Sequence, residues 1–313
     1  MIAYVLRRLG ATVIVMAMVA LFVFSLLFLT PGDPAAVIAG DIATPADIER
    51  IRDKLGLNEP FLVQFGQWAG RLLQGDLGTS IFTNLPVAQL IGQRVEPTAS
   101  LSLITLVLAV GVAVPMGVVA AARAGSWADR LVMGFSVLAF SVPVFVLAYL
   151  LIGLVSIRLE WLPVQGYRPL AQGFWPWLSH LILPSVALGT VYMALIARIT
   201  RAAMLEVLSQ DYIRTAHAKG LAPRTVLVRH ALKNAGIPIV TVIGIGLTLL
   251  IGGAIVTETV FAIPGIGRLT VDAILRRDYP IIQGVILLFS GLYVLINLAV
   301  DLSYRLFDPR IRY

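Results

Sequence analysis

TASLSLITLVLAVGVAVPMGVVAAA, residues Thr98–Ala122, contains no Asp, Glu, Lys or Arg. A helix needs about 20 mainly apolar residues to cross roughly 30 Å of hydrocarbon. This run is long enough and lacks the charged stripe of a helix half in water. Five further stretches read the same way, at approximately Gly10–Leu29, Leu131–Ile157, Ser179–Ala197, Ile237–Thr257 and Ile281–Val300. The composition agrees: of 313 residues 58% are hydrophobic and only 13% charged, and the mean hydropathy is +0.90. Soluble domains carry roughly a quarter charged residues. The sequence therefore predicts an all-α integral membrane protein with six transmembrane helices. The run from Leu9 to Leu29 exceeds the ~7–15 apolar residues of a signal peptide, so it reads as an uncleaved first helix.

Orientation follows from Lys and Arg. With six spans, one set of loops holds both termini, and it contains Arg7, Arg8, Arg123, Arg130, Arg198, Arg201, Arg214, Lys219, Arg224, Arg229, Lys233, Arg305, Arg310 and Arg312. Only Asp129, Glu206, Asp211, Asp301 and Asp308 join them. This side is strongly basic and the other slightly acidic, which places both termini in the cytoplasm. The net charge of +7 thus reads as topology, with no nucleic acid implied. Trp161, Trp175 and Trp177 fall at the opposite interface, as belt residues do. Cysteine is absent, so single introduced cysteines report topology without background. Cysteines at Ala43 and Ser209 are expected to label from opposite faces of oriented vesicles.

Two loops exceed what connection requires. The external segment from Thr30 to Pro97 reads as short helices. One is capped at Thr44 with Pro45 first and Gly56 closing it. The next carries Phe61, Leu62, Phe65, Trp68, Leu72 and Leu73 on one face and stops at Gly75. It is either a cap on the membrane surface or part of a docking surface for an external protein. The cytoplasmic loop Arg198–Gly236 begins with an amphipathic helix to Leu208 that Asp211–Lys219 continues. Gly220 suits a left-handed stop, and Pro223 suits the first turn of the next helix. A basic loop that only sets topology would account for the charge. A capped hairpin with Ala216 and Ala218 at its tip, permitting close approach by another protein, accounts for the length and order.

Several chemistries are excluded or unsupported. No Gly-x-x-x-x-Gly-Lys-Ser/Thr loop, His-Glu-x-x-His or Gly-x-Ser-x-Gly occurs, so no catalytic, cofactor or metal residue is assigned. An ion-coupled transporter usually places ionisable groups within its spans, and here only His180 lies near an edge. Pro115, Pro143 and Pro184 interrupt apolar helices, and Gly244, Gly246, Gly252 and Gly253 lie on the fifth span. Glycines permit tight packing, while prolines free carbonyls that neighbours or a wet cavity must satisfy. Ser141-Val142-Pro143 is on this ground the candidate pathway-lining kink. After the fifth span, Glu258 and Phe261 precede the turn Pro264-Gly265-Ile266-Gly267, either an outer gate or a rigid re-entrant turn.

The string Asp211-Tyr212-Ile213-Arg214-Thr215-Ala216-His217-Ala218-Lys219-Gly220-Leu221, followed by Arg229-His230-Ala231-Leu232-Lys233-Asn234-Ala235 and Pro238, resembles the ATPase-coupling motif of ATP-binding-cassette importer permeases. It is similar to the dipeptide/oligopeptide/nickel branch, first-permease (B-type) side. The wider superfamily has Glu-Ala-Ala before the glycine and Leu-Pro after it. Arg214-Thr215-Ala216 and Leu232-Lys233 stand there instead, as is usual in the peptide branch. Leu29-Thr30-Pro31-Gly32-Asp33-Pro34, Gly75-Asp76-Leu77-Gly78-Thr79-Ser80, Glu258-Thr259-Val260-Phe261, Pro264-Gly265-Ile266-Gly267-Arg268-Leu269, Arg277-Asp278-Tyr279-Pro280 and Asp308-Pro309-Arg310-Ile311-Arg312-Tyr313 look like further family strings.

The resemblance implies a type I importer permease fold: a flanking helix at 1–30, an external helical region at 31–94, a five-helix core at 95–301 with the coupling loop at 198–236, and a cytoplasmic tail at 302–313. It also implies a multi-pass protein of the bacterial inner membrane. The expected partners are a homologous second permease, two cytoplasmic ATPase subunits that bind ATP and Mg, an external substrate-binding protein, membrane lipid and a peptide substrate. Nickel, glutathione or an oligosaccharide are the alternative cargoes.

Overall fold

The computed structural model describes residues 2–29, 35–36, 44–54 and 58–307. The expectations at Thr30–Pro34, Ala43, Gly56 and Asp308–Tyr313 lie outside these. The described residues are mostly helical, with longer connecting segments at 74–86, which carries the isolated bridge Thr79 to Pro86, and at 159–173, which carries a 3-10 turn at Leu170–Gln172. Chain packing divides the molecule into two compact units, Met1–Val95 with Arg268–Val294, and Glu96–Gly267 with Leu295–Tyr313.

In the first unit, α1 (Ile2–Leu29) is followed by α2 (Pro45–Lys54) and α3 (Phe61–Leu73). Phe24 of α1 packs its ring against Phe61, Phe65 and Trp68 of α3, with centroids 5.5, 5.5 and 5.3 Å away. The apolar face of α3 is narrower than its sequence indicated. Leu62 and Leu73 point outward and are largely exposed, because positions 61, 65, 68 and 72 already fill one helical stripe. Gly75 closes this region at φ +82. Two strings far apart in sequence meet here: Ser80 Oγ donates to Oδ2 of the buried Asp278 at 2.5 Å, and Ile81 N–H to Oδ1 at 3.3 Å.

The remaining helices fall mainly in the second unit, with Arg268–Val294 belonging to the first. Helix α4 (Val87–Ala122) straddles both units and starts eleven residues before the apolar run, with Pro97 and Pro115 inside it. Next come α5 (Trp127–Ser141) and α6 (Val144–Leu151), the latter continuing as a π-helix over Ile152–Arg158. Helix α7 (Phe174–Leu208) is unbroken through Pro184. Its 35 residues extend about 52 Å at 1.5 Å each. It therefore crosses the membrane and continues well beyond it, absorbing the separate amphipathic helix expected after Arg198. After α8 (Asp211–Ala218) and α9 (Pro223–Thr225, continuing as a π-helix over Val226–Leu232) come α10 (Gly236–Val260), α11 (Ile266–Arg276) and α12 (Tyr279–Phe307). Among the described residues four helices are long and apolar enough to span alone, and up to six spans result if each of two bent pairs counts as one.

The core of this unit is built on α7, whose buried Leu181, Leu188, Met193, Ile196 and Ala197 cluster with Leu101, Val132, Ala148, Val242 and Leu250. Small residues set the closest approaches. A Cβ on Gly117 would lie 2.7 Å from the Ala197 carbonyl oxygen, and one on Gly253 would lie 2.9 Å from the Tyr192 hydroxyl. For Gly117 and Gly253, packing is thus sufficient reason for glycine. Trp177 is no belt residue: it is buried and donates through Nε1 to Ser100 Oγ at 3.1 Å, since a buried indole N–H needs a partner.

Candidate functional site

Three features of the second unit draw together the candidate residues. The first is the cytoplasmic hairpin. Gln210 is extended at φ −74, ψ 148, so α7 stops at Leu208 and α8 is a new helix rather than a continuation. Helix α8 ends in a compact turn where Lys219 N–H donates to the Thr215 carbonyl (3.0 Å), Gly220 N–H to His217 (2.9 Å) and Leu221 N–H to Ala216 (3.3 Å). Gly220 has φ +76, the left-handed conformation that costs an L-residue about 1–2 kcal/mol. Pro223 occupies the first turn of α9, where its missing N–H costs no bond.

Ile213 and Ala216, three apart on α8, face inward. They form a core with Val226, Ala231, Ala235, Ala203 and Met204. The expected use of Ala216 is thereby corrected. It is 7% exposed and packs within the hairpin instead of lining a surface for a partner. Arg214, Thr215, His217, Ala218, Lys219, Gly220 and Leu221 are exposed. Tyr212 is half-sunk among its neighbours, and this desolvation pushes its phenol pKa up.

The second feature is a break in the third span. Helices α5 and α6 meet at 102°, far more than the kink expected at Pro143. Val142 is extended at φ −97, ψ 120, as the residue before proline prefers. Pro143 offers no N–H, so the Ala139 carbonyl has no donor four residues on. Ser141 Oγ folds back to the Val137 carbonyl at 2.8 Å, and Ser141 and Pro143 are both exposed. Beside the break lies an apolar cavity of about 190 Å³, lined by residues that include Phe135, Leu138, Val142, Leu147 and Val191. Pro115 and Pro184, in contrast, sit inside unbroken helices.

The third feature is the turn after α10. Glu258 is completely buried and Phe261 is 2% exposed. Thr98 Oγ1 donates to Glu258 Oε1 at 2.6 Å and accepts from Ile266 N–H at 2.8 Å. Gln165 Nε2 donates to the Val260 carbonyl at 3.0 Å, and Gly166 N–H to that of Phe261 at 2.8 Å. The geometry is that of a pinned re-entrant turn, with both candidate side chains inside it. The Glu258 carboxylate fills the space where a side chain on Gly265 would stand, its Cδ being 2.2 Å from a Cβ built there. At Gly267 a Cβ would meet the Ile255 Cα at 2.7 Å. Gly267→Ala is therefore expected to destabilise by about 1–3 kcal/mol through overpacking against backbone. A fall in the melting temperature of the purified chain would show it, and an unchanged value would contradict the close fit.

One pairing had no sequence signal. Asp129 on α5 is 4% exposed and accepts from Arg201 on α7 through Nε and through Nη2, the latter at 2.7 Å. Gly125 N–H completes its bonding at 2.9 Å. Ser136 Oγ reaches the Ala194 carbonyl at 3.4 Å further along the same pair of helices. The fork-on-carboxylate geometry ties α5 to the part of α7 nearest the hairpin.

A helical membrane protein with a broken span, a pinned outer turn and a capped hairpin carried on an overlong helix has the architecture of a transport permease. The comparisons narrow this class. The profile of the binding-protein-dependent transport system inner membrane component matches residues 113–313, and that of the N-terminal membrane component matches residues 1–102. The chain belongs to this family of ATP-binding-cassette importer permeases, multi-pass proteins of the inner membrane. It is 60% identical to the probable peptide ABC transporter permease protein y4tP of Sinorhizobium fredii, over 99% of both chains. It is 43% identical to the dipeptide transport system permease protein DppB of Alkalihalophilus pseudofirmus, and 44% identical to the glutathione transport system permease protein GsiC of Escherichia coli, over the whole of each. Among solved structures, the inward-facing MetNI methionine ABC transporter shares the type I importer permease fold. Its TM-score is 0.57 at 20% identity, covering 70% of this chain and 97% of that one.

Proposed function

We propose that this chain, paired with a homologous second permease, forms the pathway for di- or oligopeptides delivered by an external substrate-binding protein. The observation that carries the coupling role is the hairpin mounted on α7, one unbroken helix reaching from the membrane core to the base of the hairpin. Arg214, Thr215, His217, Ala218, Lys219, Gly220 and Leu221 present its outer surface to a cleft on an ATPase subunit, while Ala216 holds it together from within. ATP and Mg bind to the ATPases, and this chain performs no catalysis. Closure of the ATPases moves the hairpin, α7 transmits the motion, and the pathway alternates between outward and inward access.

Peptide as cargo is supported by the names of the end-to-end relatives. Glutathione, itself a tripeptide, is the second reading, favoured by the 44% identical relative. Nickel and oligosaccharides are the remaining cargoes of the branch. Ser141 and Pro143 line the pathway in this reading, because irregular backbone at membrane depth is tolerated only inside protein or against water. Glu258 and Phe261 act as the fixed footing of the outer gate, since their side chains are enclosed.

The test is uptake of a labelled dipeptide into proteoliposomes holding the two permeases and ATPases, with binding protein added outside. ATP-dependent uptake that ignores ion gradients is expected. Uptake driven by a sodium or proton gradient without ATP would refute the assignment, and competition by glutathione or nickel would reassign the cargo. Pro143→Ala returns an N–H to the Ala139 carbonyl and lets α5 run straight into α6. It is expected to lower uptake at least tenfold while ATPase recovery in pull-downs stays as in the wild type. Wild-type uptake would remove the break from the pathway.

A further inference from the structure

Arg198 and Arg201 lie one turn apart on α7, and their surroundings differ. Arg201 has a dedicated carboxylate in Asp129. Arg198 is exposed, and among the described residues no carboxylate pairs with it. Its guanidinium instead lies over the ring of Phe140, 5.8 Å from the centroid. Phe140 is itself about half exposed and immediately precedes Ser141 and the break at Val142–Pro143. A guanidinium resting on an aromatic face is held in place while its edge N–H groups stay free, the arrangement suited to a planar, bidentate anion.

Which solvent this face meets follows from the break. The Ala139 carbonyl has lost its helical donor to Pro143, and the Val142 backbone is extended. Backbone of this kind does not face hydrocarbon and requires protein or a water-lined cavity. Arg198 lies at the cytoplasmic end of its span, exposed and in contact with Phe140 beside this break. The broken backbone therefore turns this face away from lipid and toward protein or water, and Arg198 borders it from the cytoplasmic side.

We propose that Arg198, seated on Phe140 beside the break, binds the free C-terminal carboxylate of the transported peptide. The inference rests on the peptide reading above. A carboxylate is the one anion that every unmodified peptide carries whatever its side chains, so a guanidinium here serves varied cargo equally. Arg198 sits on the cytoplasmic part of α7, so the contact belongs to the inward side of the transport cycle.

The test is direct binding to the permease–ATPase complex in nanodiscs without the binding protein, which removes that protein's own selectivity. The probes are tritiated Ala-Phe and its C-terminal amide. The wild type is expected to prefer the free acid at least tenfold. Arg198→Gln should abolish the preference, and Arg198→Lys should keep it within a few-fold. ATPase recovery in pull-downs should match the wild type in both, which separates binding from assembly. Equal affinity of wild type and Arg198→Gln for the free acid would overturn the site. So would measurable but equal binding of acid and amide by the wild type, which leaves the peptide reading standing. Binding of neither probe would remove the peptide reading as well. An Arg198→Gln effect that tracks only the phosphatidylglycerol content of the disc would assign the guanidinium to lipid phosphate and refute the proposal.

Discussion

Complexes carrying Gly220→Val or Ala218→Trp are expected to insert normally and to lose ATP-driven uptake by tenfold or more. Gly220 turns the chain at φ +76 between α8 and α9. A Cβ-bearing residue there adds on the order of 1–2 kcal/mol of backbone strain. Relief of that strain tilts α9 away from α8, and the surface that meets the ATPase loses its shape. Ala218→Trp acts from outside. Its position is exposed, so the indole leaves the hairpin core intact and stands in the cleft that should receive it. Ala216→Trp behaves differently. It forces a large ring into a core shared with Ile213 and Val226 and should appear first as lost stability. Pull-down of the ATPases with each detergent-solubilised variant, paired with uptake, separates the cases. Wild-type recovery and uptake in both Gly220→Val and Ala218→Trp would reduce the hairpin to a topology signal.

The other large effect is expected at the Asp129–Arg201 pair. Arg201→Ala strips a buried carboxylate of its counter-charge and leaves it only the Gly125 N–H. Breaking a buried pair from one side costs about 3–5 kcal/mol. Asp129→Asn should cost less, because the Arg201 side chain is 25% exposed and its head can reach water along an apolar stem. The order of the two effects is the informative result. Thermal unfolding of the purified chain in one detergent reads it, with Arg201→Ala melting lower than Asp129→Asn. Equal and small shifts would mean that α5 and α7 are held by apolar packing alone.

Features governed by local patterning were legible in the sequence. Six spans follow from hydropathy, orientation from Lys and Arg, and the hairpin stop from Gly220 and Pro223. Less accessible were features that depend on what a residue meets. Pro115, Pro143 and Pro184 are the same residue in similar apolar surroundings, yet of the three only Pro143 divides a helix. Ala216 and Ala218 look alike in the string, but two residues of helical rotation put one inside and one outside. Asp129 meets Arg201 across 72 residues, and Thr98 meets Glu258 across 160. No periodicity encodes such distant meetings. From the sequence alone Asp129 is an ordinary loop charge, and Glu258 belongs equally to an outer gate or to a rigid re-entrant turn, because their partners are out of sight.

The placement of the Glu258 carboxylate in the space beside Gly265 has a consequence for how this chain can change. A methyl at position 265 would force the Glu258 carboxylate from its place and off its bond to Thr98. A shorter residue at 258, such as Ser, would open the room that the methyl needs. The two substitutions are thus unequal in order: 258 first leaves a hole and a lost bond, 265 first leaves a collision. In a randomised library of both positions, survivors with a side chain at 265 should carry a small residue at 258. Single changes at 265 should be nearly absent from the selected pool. Drift through this turn would then pass by one route, with the carboxylate yielding before the glycine.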